Sequence, residues 1–358
     1  MKLFQCSVCA QILFFENDRC TKCGHALAYL PDSATLTPLE PSETSAQTGE
    51  YQALSPALED DPSLRVCKNY AMGACNWALH ATEKDEFCKS CRLSTIIPNL
   101  QDPELADAWR GLEAAKRRLL YTLYGLGLPV EAKADAPDRG LAFAFKKDES
   151  DMKVMTGHAD GLITINVAEA DDAFREKMRK KLGEGYRTLL GHFRHEIGHY
   201  YWDRLIKGSD DVAAFRERFG DESASYEAAI KRHYEQGPPP DWRDRHVSAY
   251  AAMHPWEDFA ETWAHYLHMV DTLESARAYR LTARPALKSP DADLKLTTTR
   301  LDFTDFDDLS TAWIPLTLAI NSLNRSMGLN DPYPFVLSMP AIEKVRFVHE
   351  LIERTAQH

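Results

Sequence analysis

Residues 186–205 read YRTLLGHFRHEIGHYYWDRL, and the H-E-x-x-H pattern of His195, Glu196 and His199 inside them decides what the larger part of this chain is built around. On an α-helix two residues four apart lie on one face, so two imidazoles can grip one Zn²⁺. Glu196 then sits beside the water that such a metal activates and can take its proton as a general base. Leu189, Leu190, Phe193, Ile197, Tyr201 and Leu205 recur near helical period, and no Pro interrupts them. Gly198 is the one weak helix former near the centre, where a small residue admits another backbone or a substrate at close range. The blander reading is a surface helix with two solvated histidines, and a second helix weighs against it.

Two histidines leave zinc short of a third protein ligand. The position six residues after His199, where metzincins carry one, is Leu205, which cannot bind metal. The segment PWEDFAETWAHYLHMV, Pro255 to Val270, supplies candidates. Pro255 suits the first turn of a helix, and the acidic pair Glu257 and Asp258 suits its positive end. Glu257 and Glu261 are four apart and share a face, so one can bind the metal while the other accepts a proton from a ligand His. Of their neighbours, His192 is read as packing near the site, and His254 and His265 as structural or supporting groups. Asp203 either orients His199 or lies on a solvated surface. Trp202, Trp256 and Trp263 read as core.

All eight cysteines lie between Cys6 and Cys91. Cys6-x2-Cys9 with Cys20-x2-Cys23 is a zinc-ribbon signature, two knuckles that together present four thiolates to one tetrahedral ion. Cys67, Cys75, Cys88 and Cys91 form a second set of four, more widely spaced in its first half. Disulfides are the competing reading. They suit an exported chain, whereas Met1 to Phe15 has neither an adequate apolar stretch nor a cleavage site. No hydrophobic span approaches membrane length, so a soluble, cytoplasmic protein with reduced thiols and two structural zinc ions is expected.

HEIGH followed downstream by E-D-F-A-E resembles the gluzincin metallopeptidases, in which two His and one Glu hold zinc. Anthrax lethal factor, with its Glu-Phe-Phe-Ala-Glu run, is more similar here than thermolysin. That resemblance implies Glu257 as the ligand and Glu261 as the carboxylate supporting a ligand His. It also implies Tyr250, seven residues before Glu257, as the donor of a hydrogen bond to the oxyanion. The runs FCKSCRLSTIIPNL, FRHEIGHYYWDRL and HPWEDFAETWAHYLH resemble a bacterial family of zinc-ribbon-containing, zinc-binding metallopeptidases over nearly the full chain.

The expected organisation is a zinc ribbon at 1–31 and a flexible linker at 32–63, rich in Pro, Ser, Thr and acids. A second four-cysteine module at 64–100 and a metallopeptidase domain at 101–358 follow. The fold class expected for the last is α+β and zincin-like, mainly helical with a small sheet, and with its site in a cleft between two lobes. A helix is read at 102–126, with further helical patterns at 171–183, 222–235, 304–328 and 340–356. Strands are read at 141–145 and 161–167, the second as the edge strand that would receive an extended peptide.

Charge separates the functional readings. The chain carries net charge −12, and its first hundred residues hold eight Lys and Arg against twelve Asp and Glu. A phosphate-binding surface wants the opposite sign, so the ribbon is expected to dock protein or cap the fold rather than bind nucleic acid. The leading expectation is a zinc metallopeptidase that cleaves cytoplasmic protein or peptide. A DNA-associated protease of the H-E-x-x-H type is the alternative, and a non-enzymatic zinc scaffold is the third reading. A scaffold has no use for Glu196.

Overall fold

The computed structural model describes the whole chain except residues 44–48, 150–151, 183–186, 286–294 and 358. Tyr186, where the metal-helix reading begins, and the end of the 171–183 pattern lie outside the described residues. The chain forms two compact units, one of Met1–Gly157 with Gly161–Asp171 and one of His158–Asp160 with Asp172–His358.

In the first unit, strands β1 (Phe4–Gln5) and β2 (Ile12–Leu13) pair antiparallel and carry Cys6 and Cys9 on their connecting turn. The two knuckles close alike, with Ala10 N–H donating to Cys6 O and Gly24 N–H to Cys20 O, both at 2.9 Å. Ala10 and Gly24 each adopt positive φ, 60° and 80°, a conformation that glycine reaches without strain.

A five-stranded antiparallel sheet follows in the order β3 (Ala26–Leu30), β4 (Thr35–Pro41), β5 (Glu50–Ala53), β6 (Ser63–Val66), β7 (Ala78–His80). The expected linker at 32–63 therefore carries β4, β5 and the start of β6 among its described residues; 44–48 lie outside them. Its composition misleads because Pro38 and Pro41 argue against an interior strand. Leu39, Leu58 and Leu64 nevertheless close a buried cluster with Ala28, Leu30 and Ala78. Burial of that apolar face outweighs the ladder bonds that the prolines cannot donate.

Helix α1 (Pro103–Gly125) starts at an Asp102 cap that accepts from Glu104 N–H and Leu105 N–H. It buries Trp109, Leu112, Leu119 and Leu120, and its Tyr121 ring meets Phe15 edge-on at 5.0 Å. By its contacts it belongs to the first compact unit. Strands β8 (Ser94–Ile96), β9 (Ala142–Lys146), β10 (Gly157–Ala159) and β11 (Leu162–Asn166) form a sheet in the order β10-β11-β9-β8. β11 pairs parallel with β9 and is an interior strand, so the expected peptide-receiving edge is not at 161–167. An alternating apolar run marks a strand without saying which neighbours it finds.

From Asp172 on, the regular structure among the described residues of the second unit is helical apart from a two-stranded pair, β12 (Thr282–Ala283) with β13 (Leu296–Thr297). Its helices are α2 (Asp172–Leu182), α3 (Leu189–Tyr201), α4 (Val212–Phe219), α5 (Tyr226–Gln236), α6 (Pro255–Ala278), α7 (Phe306–Ser326) and α8 (Met339–Ala356). α3 starts where the Thr188 hydroxyl accepts from Gly191 N–H and runs on into a π-helical turn at Trp202–Ile206. α6 starts at His254, whose ring accepts from Trp256 N–H, with Pro255 in the first turn. α3 and α6 pack closely because Gly198 has no side chain: a Cβ there would lie 2.8 Å from Ala260 Cα. Tyr201 stacks on Trp263 at 4.9 Å one turn further along. Among the described residues, no helix is long and apolar enough to cross a membrane.

Candidate metal centres

Three groups of side chains each bring one ligand atom per residue within 4.8 Å of one another: Cys6, Cys9, Cys20 and Cys23; Cys67, Cys75, Cys88 and Cys91; and His195, His199 and Glu257. Zn–S bonds of about 2.3 Å place the sulfurs of a tetrahedral site about 3.8 Å apart. The Cys6–Cys23, Cys9–Cys20 and Cys75–Cys88 sulfurs are separated by 3.7, 3.6 and 3.6 Å. A disulfide needs about 2.05 Å, and all eight cysteines are free. In the second set, hydrogen bonds from Cys75, Cys88 and Cys91 hold the Cys67 thiol well below its usual range. Trp77 N–H and Cys91 N–H also donate to the sulfurs of Cys75 and Cys88.

The third group is assembled from α3 and α6. His195 Nε2 and His199 Nε2 lie 3.1 Å apart and face one carboxylate oxygen, Glu257 Oε2, at 3.1 and 3.4 Å. Zn–N and Zn–O bonds of about 2.0–2.1 Å give tetrahedral edges of about 3.3–3.4 Å, so this donor set fits zinc. Glu257 Oε2 is buried with no hydrogen-bond partner among the described residues, as suits an atom reserved for a metal. Burial pushes the Glu257 carboxyl up, but the His199 and His195 imidazoles more than reverse this and hold it well below the carboxylate range.

Glu261 stands one turn on and faces the other side of the His195 ring. Its Oε1 meets His195 Nδ1 at 2.7 Å, and its Oε2 accepts from Ser248 Oγ at 2.7 Å. Burial raises its carboxyl, and His195 brings it down to about 2. The ring of His195 is thereby tied on its far nitrogen. Of the other sequence candidates, His254 caps α6 and donates through Nε2 to Ala224 O at 3.0 Å. His265 meets Tyr333 Oη at 2.7 Å. Asp203 lies near Lys207 and His158 and does not orient His199. Trp202 and Trp263 are buried as expected. Trp256 is not core but stacks on the His199 ring, 3.6 Å between centroids.

Tyr250 reaches the site from the turn before α6, its ring centroid 6.0 Å from that of His195. Burial, reinforced by Glu257, pushes its phenol well above the usual range, so it stays a proton donor. Two site residues, Tyr226 and Ser248, escaped the sequence reading, and a third, Trp256, was read as core. Tyr226, the first residue of α5, donates to Glu257 Oε1 at 2.8 Å. Ser248 holds Glu261, and Trp256 covers His199. No local pattern marks Tyr226 or Ser248, since neither is spaced at a helical interval from the residue it touches.

A model of the family described as "Putative zinc-binding metallo-peptidase" matches residues 105–351, and one of a zinc-ribbon domain matches residues 3–102. The chain belongs to this zinc-binding metallopeptidase family. Uncharacterized proteins of Mycobacterium tuberculosis and Mycobacterium bovis are each 40% identical to it over 363 residues, covering 99% of this chain and 96% of theirs. No solved structure gives a significant match. The two matches cover the cysteine-bearing region and the His and Glu region separately, and they agree with the resemblance carried by HEIGH and the cysteine pairs.

Proposed function

We propose that this chain is a zinc-dependent peptidase of the gluzincin kind, with a zincin-like catalytic domain, that hydrolyses peptide bonds in cytoplasmic proteins or peptides. Zinc held by His195, His199 and Glu257 would polarise the scissile carbonyl and make a water acidic. The observation that carries the reading is Glu196. It lies on the same helix as both ligand histidines, and its Oε2 is buried with no hydrogen-bond partner among the described residues. A buried carboxylate oxygen left without a partner is costly unless it has work to do. Glu196 takes the proton of the attacking water and passes it to the leaving amine. Tyr250 donates to the oxyanion from the opposite side. The two cysteine sites hold structural zinc, and the ribbon, in an amino-terminal hundred residues of net negative charge, docks protein, not nucleic acid.

The test compares proteome-wide cleavage by the native protein and Glu196→Gln, with zinc content measured on both. Glu196→Gln keeps its zinc and cleaves nothing, because an amide cannot accept that proton. On a substrate so identified, Tyr250→Phe turns over about 10²–10³-fold more slowly, the usual loss for one oxyanion donor. Equal cleavage patterns from native protein and Glu196→Gln would overturn the peptidase reading.

A further inference from the structure

Glu257 presents its two oxygens differently. Oε2 faces both imidazoles, whereas Oε1 accepts the hydroxyl of Tyr226 at 2.8 Å. The tyrosine that makes this bond is itself held on several sides. It is the first residue of α5, whose Ser225 cap accepts from Ala228 N–H. The preceding loop is tied down by the His254 ring, which donates to Ala224 O, and by the Arg216–Glu222 ion pair at 2.6 Å. The Tyr226 ring meets His254 edge-on at 5.4 Å and Trp256 edge-on at 5.9 Å. Trp256 in turn stacks on His199. The cap of the ligand-bearing helix and the start of α5 therefore aim one phenol at one carboxylate oxygen.

This matters because a carboxylate can bind zinc through one oxygen or two. A catalytic site keeps three protein ligands and leaves a position for water or substrate. A two-oxygen Glu would compete for that position. We propose that Tyr226 is a positioning residue that makes Glu257 a one-oxygen ligand, occupying Oε1 so that only Oε2 is available to the metal. The inference rests on the assignment of His195, His199 and Glu257 as a metal site in the proposed peptidase, and it concerns the geometry of that site before any substrate arrives.

Tyr226→Phe removes the hydroxyl and keeps the ring between His254 and Trp256, and circular dichroism with a thermal melt checks that the fold is retained. The probe is Co²⁺ exchanged into the full-length protein at the His and Glu site, read by its visible absorption. The native protein gives the intense spectrum of a low-coordinate site. The variant gives a weaker spectrum of higher coordination, as Glu257 closes on the metal with both oxygens. Zinc affinity shifts by about 10-fold, the lower end of what loss of a group supporting a ligand does. On a cleaved substrate the variant loses kcat with KM little changed, since the ligand set and not substrate docking is altered.

An unchanged cobalt spectrum and unchanged zinc affinity in Tyr226→Phe would overturn the proposal. So would a phenolate-to-cobalt charge-transfer band present in the native protein and absent from the variant, which would make Tyr226 a ligand. The absorption and affinity readouts need no substrate. If Glu196→Gln shows that the chain is no peptidase, a changed cobalt spectrum in Tyr226→Phe still supports the one-oxygen ligand. If Glu196→Gln abolishes cleavage while Tyr226→Phe leaves the spectrum native, this inference alone falls.

Discussion

At the scale of single residues, two glutamates one helical turn apart do different work because each meets a different nitrogen. Glu257 faces the Nε2 atoms of both histidines, whereas Glu261 meets Nδ1 of His195 and is held there by Ser248. Removing them has unequal consequences. Glu257→Ala takes away a ligand and largely empties the His and Glu site while both cysteine sites keep their metal. Glu261→Ala leaves all three ligands in place and frees the His195 ring, so metal affinity falls only about 10–100-fold. Metal titration against a competing chelator measures both. A greater loss from Glu261→Ala than from Glu257→Ala would reverse the two roles. That one of this pair can serve as ligand is legible in the four-residue spacing. Which one it is depends on how α6 is rotated against α3, and on the residues alone both assignments are open.

At the scale of elements, the α3–α6 packing sets the distance between the ligand pair and its carboxylate. Gly198 permits it: an added Cβ would stand 2.8 Å from Ala260 Cα and 3.1 Å from Trp263 Cβ. The nearest atom is backbone, so no side chain can swing away to make room. Replacing Gly by Ala inside a helix gains about 0.5–1 kcal/mol in conformational entropy. Overpacking of a tight core contact costs about 1–3 kcal/mol, so the contact term wins and Gly198→Ala destabilises the second unit. Urea unfolding of the native chain and the variant decides this. A higher midpoint for Gly198→Ala would mean that α3 and α6 can separate freely. The close approach was anticipated from glycine's place in HEIGH, but the identity of the partner backbone was not. The π-helical turn at Trp202–Ile206 is a feature for which sequence spacing offered no signal.

At the scale of the whole molecule, metal binding and folding are joined differently in the two units. The cysteine sites lie in the first unit among short strands and turns. The His and Glu site lies in the second, between two helices with an extensive buried aromatic core. The expected stoichiometry is three zinc ions per chain, measured by plasma emission. A mild chelator removes one of them and leaves the helical unit folded. Stripping the remaining two, with a strong chelator and a thiol reagent, melts structure in the first unit, because thiolate sites in small modules contribute folding free energy directly. One zinc ion per chain with oxidised cysteines would refute this division.

What the sequence determined by itself is what short-range geometry dictates. H-E-x-x-H places two imidazoles on one helical face, and C-x2-C closes a knuckle whose turn is set within five residues. These spacings are properties of a helix turn or a tight loop and need no partner. The helices at 226–236, 306–326 and 339–356 were legible for the same reason, their apolar period being a local property. Only the tertiary structure decided the remainder. Leu39, Leu58 and Leu64 turn a proline-bearing stretch into sheet because their apolar faces find one another across the chain. β11 lies inside its sheet because strands pair on both its sides. Tyr226 reaches Glu257 from 31 residues away through a helix cap and a stacked tryptophan. Such contacts are set by the burial of surfaces distant in sequence, and a one-dimensional pattern does not encode which of those surfaces meet.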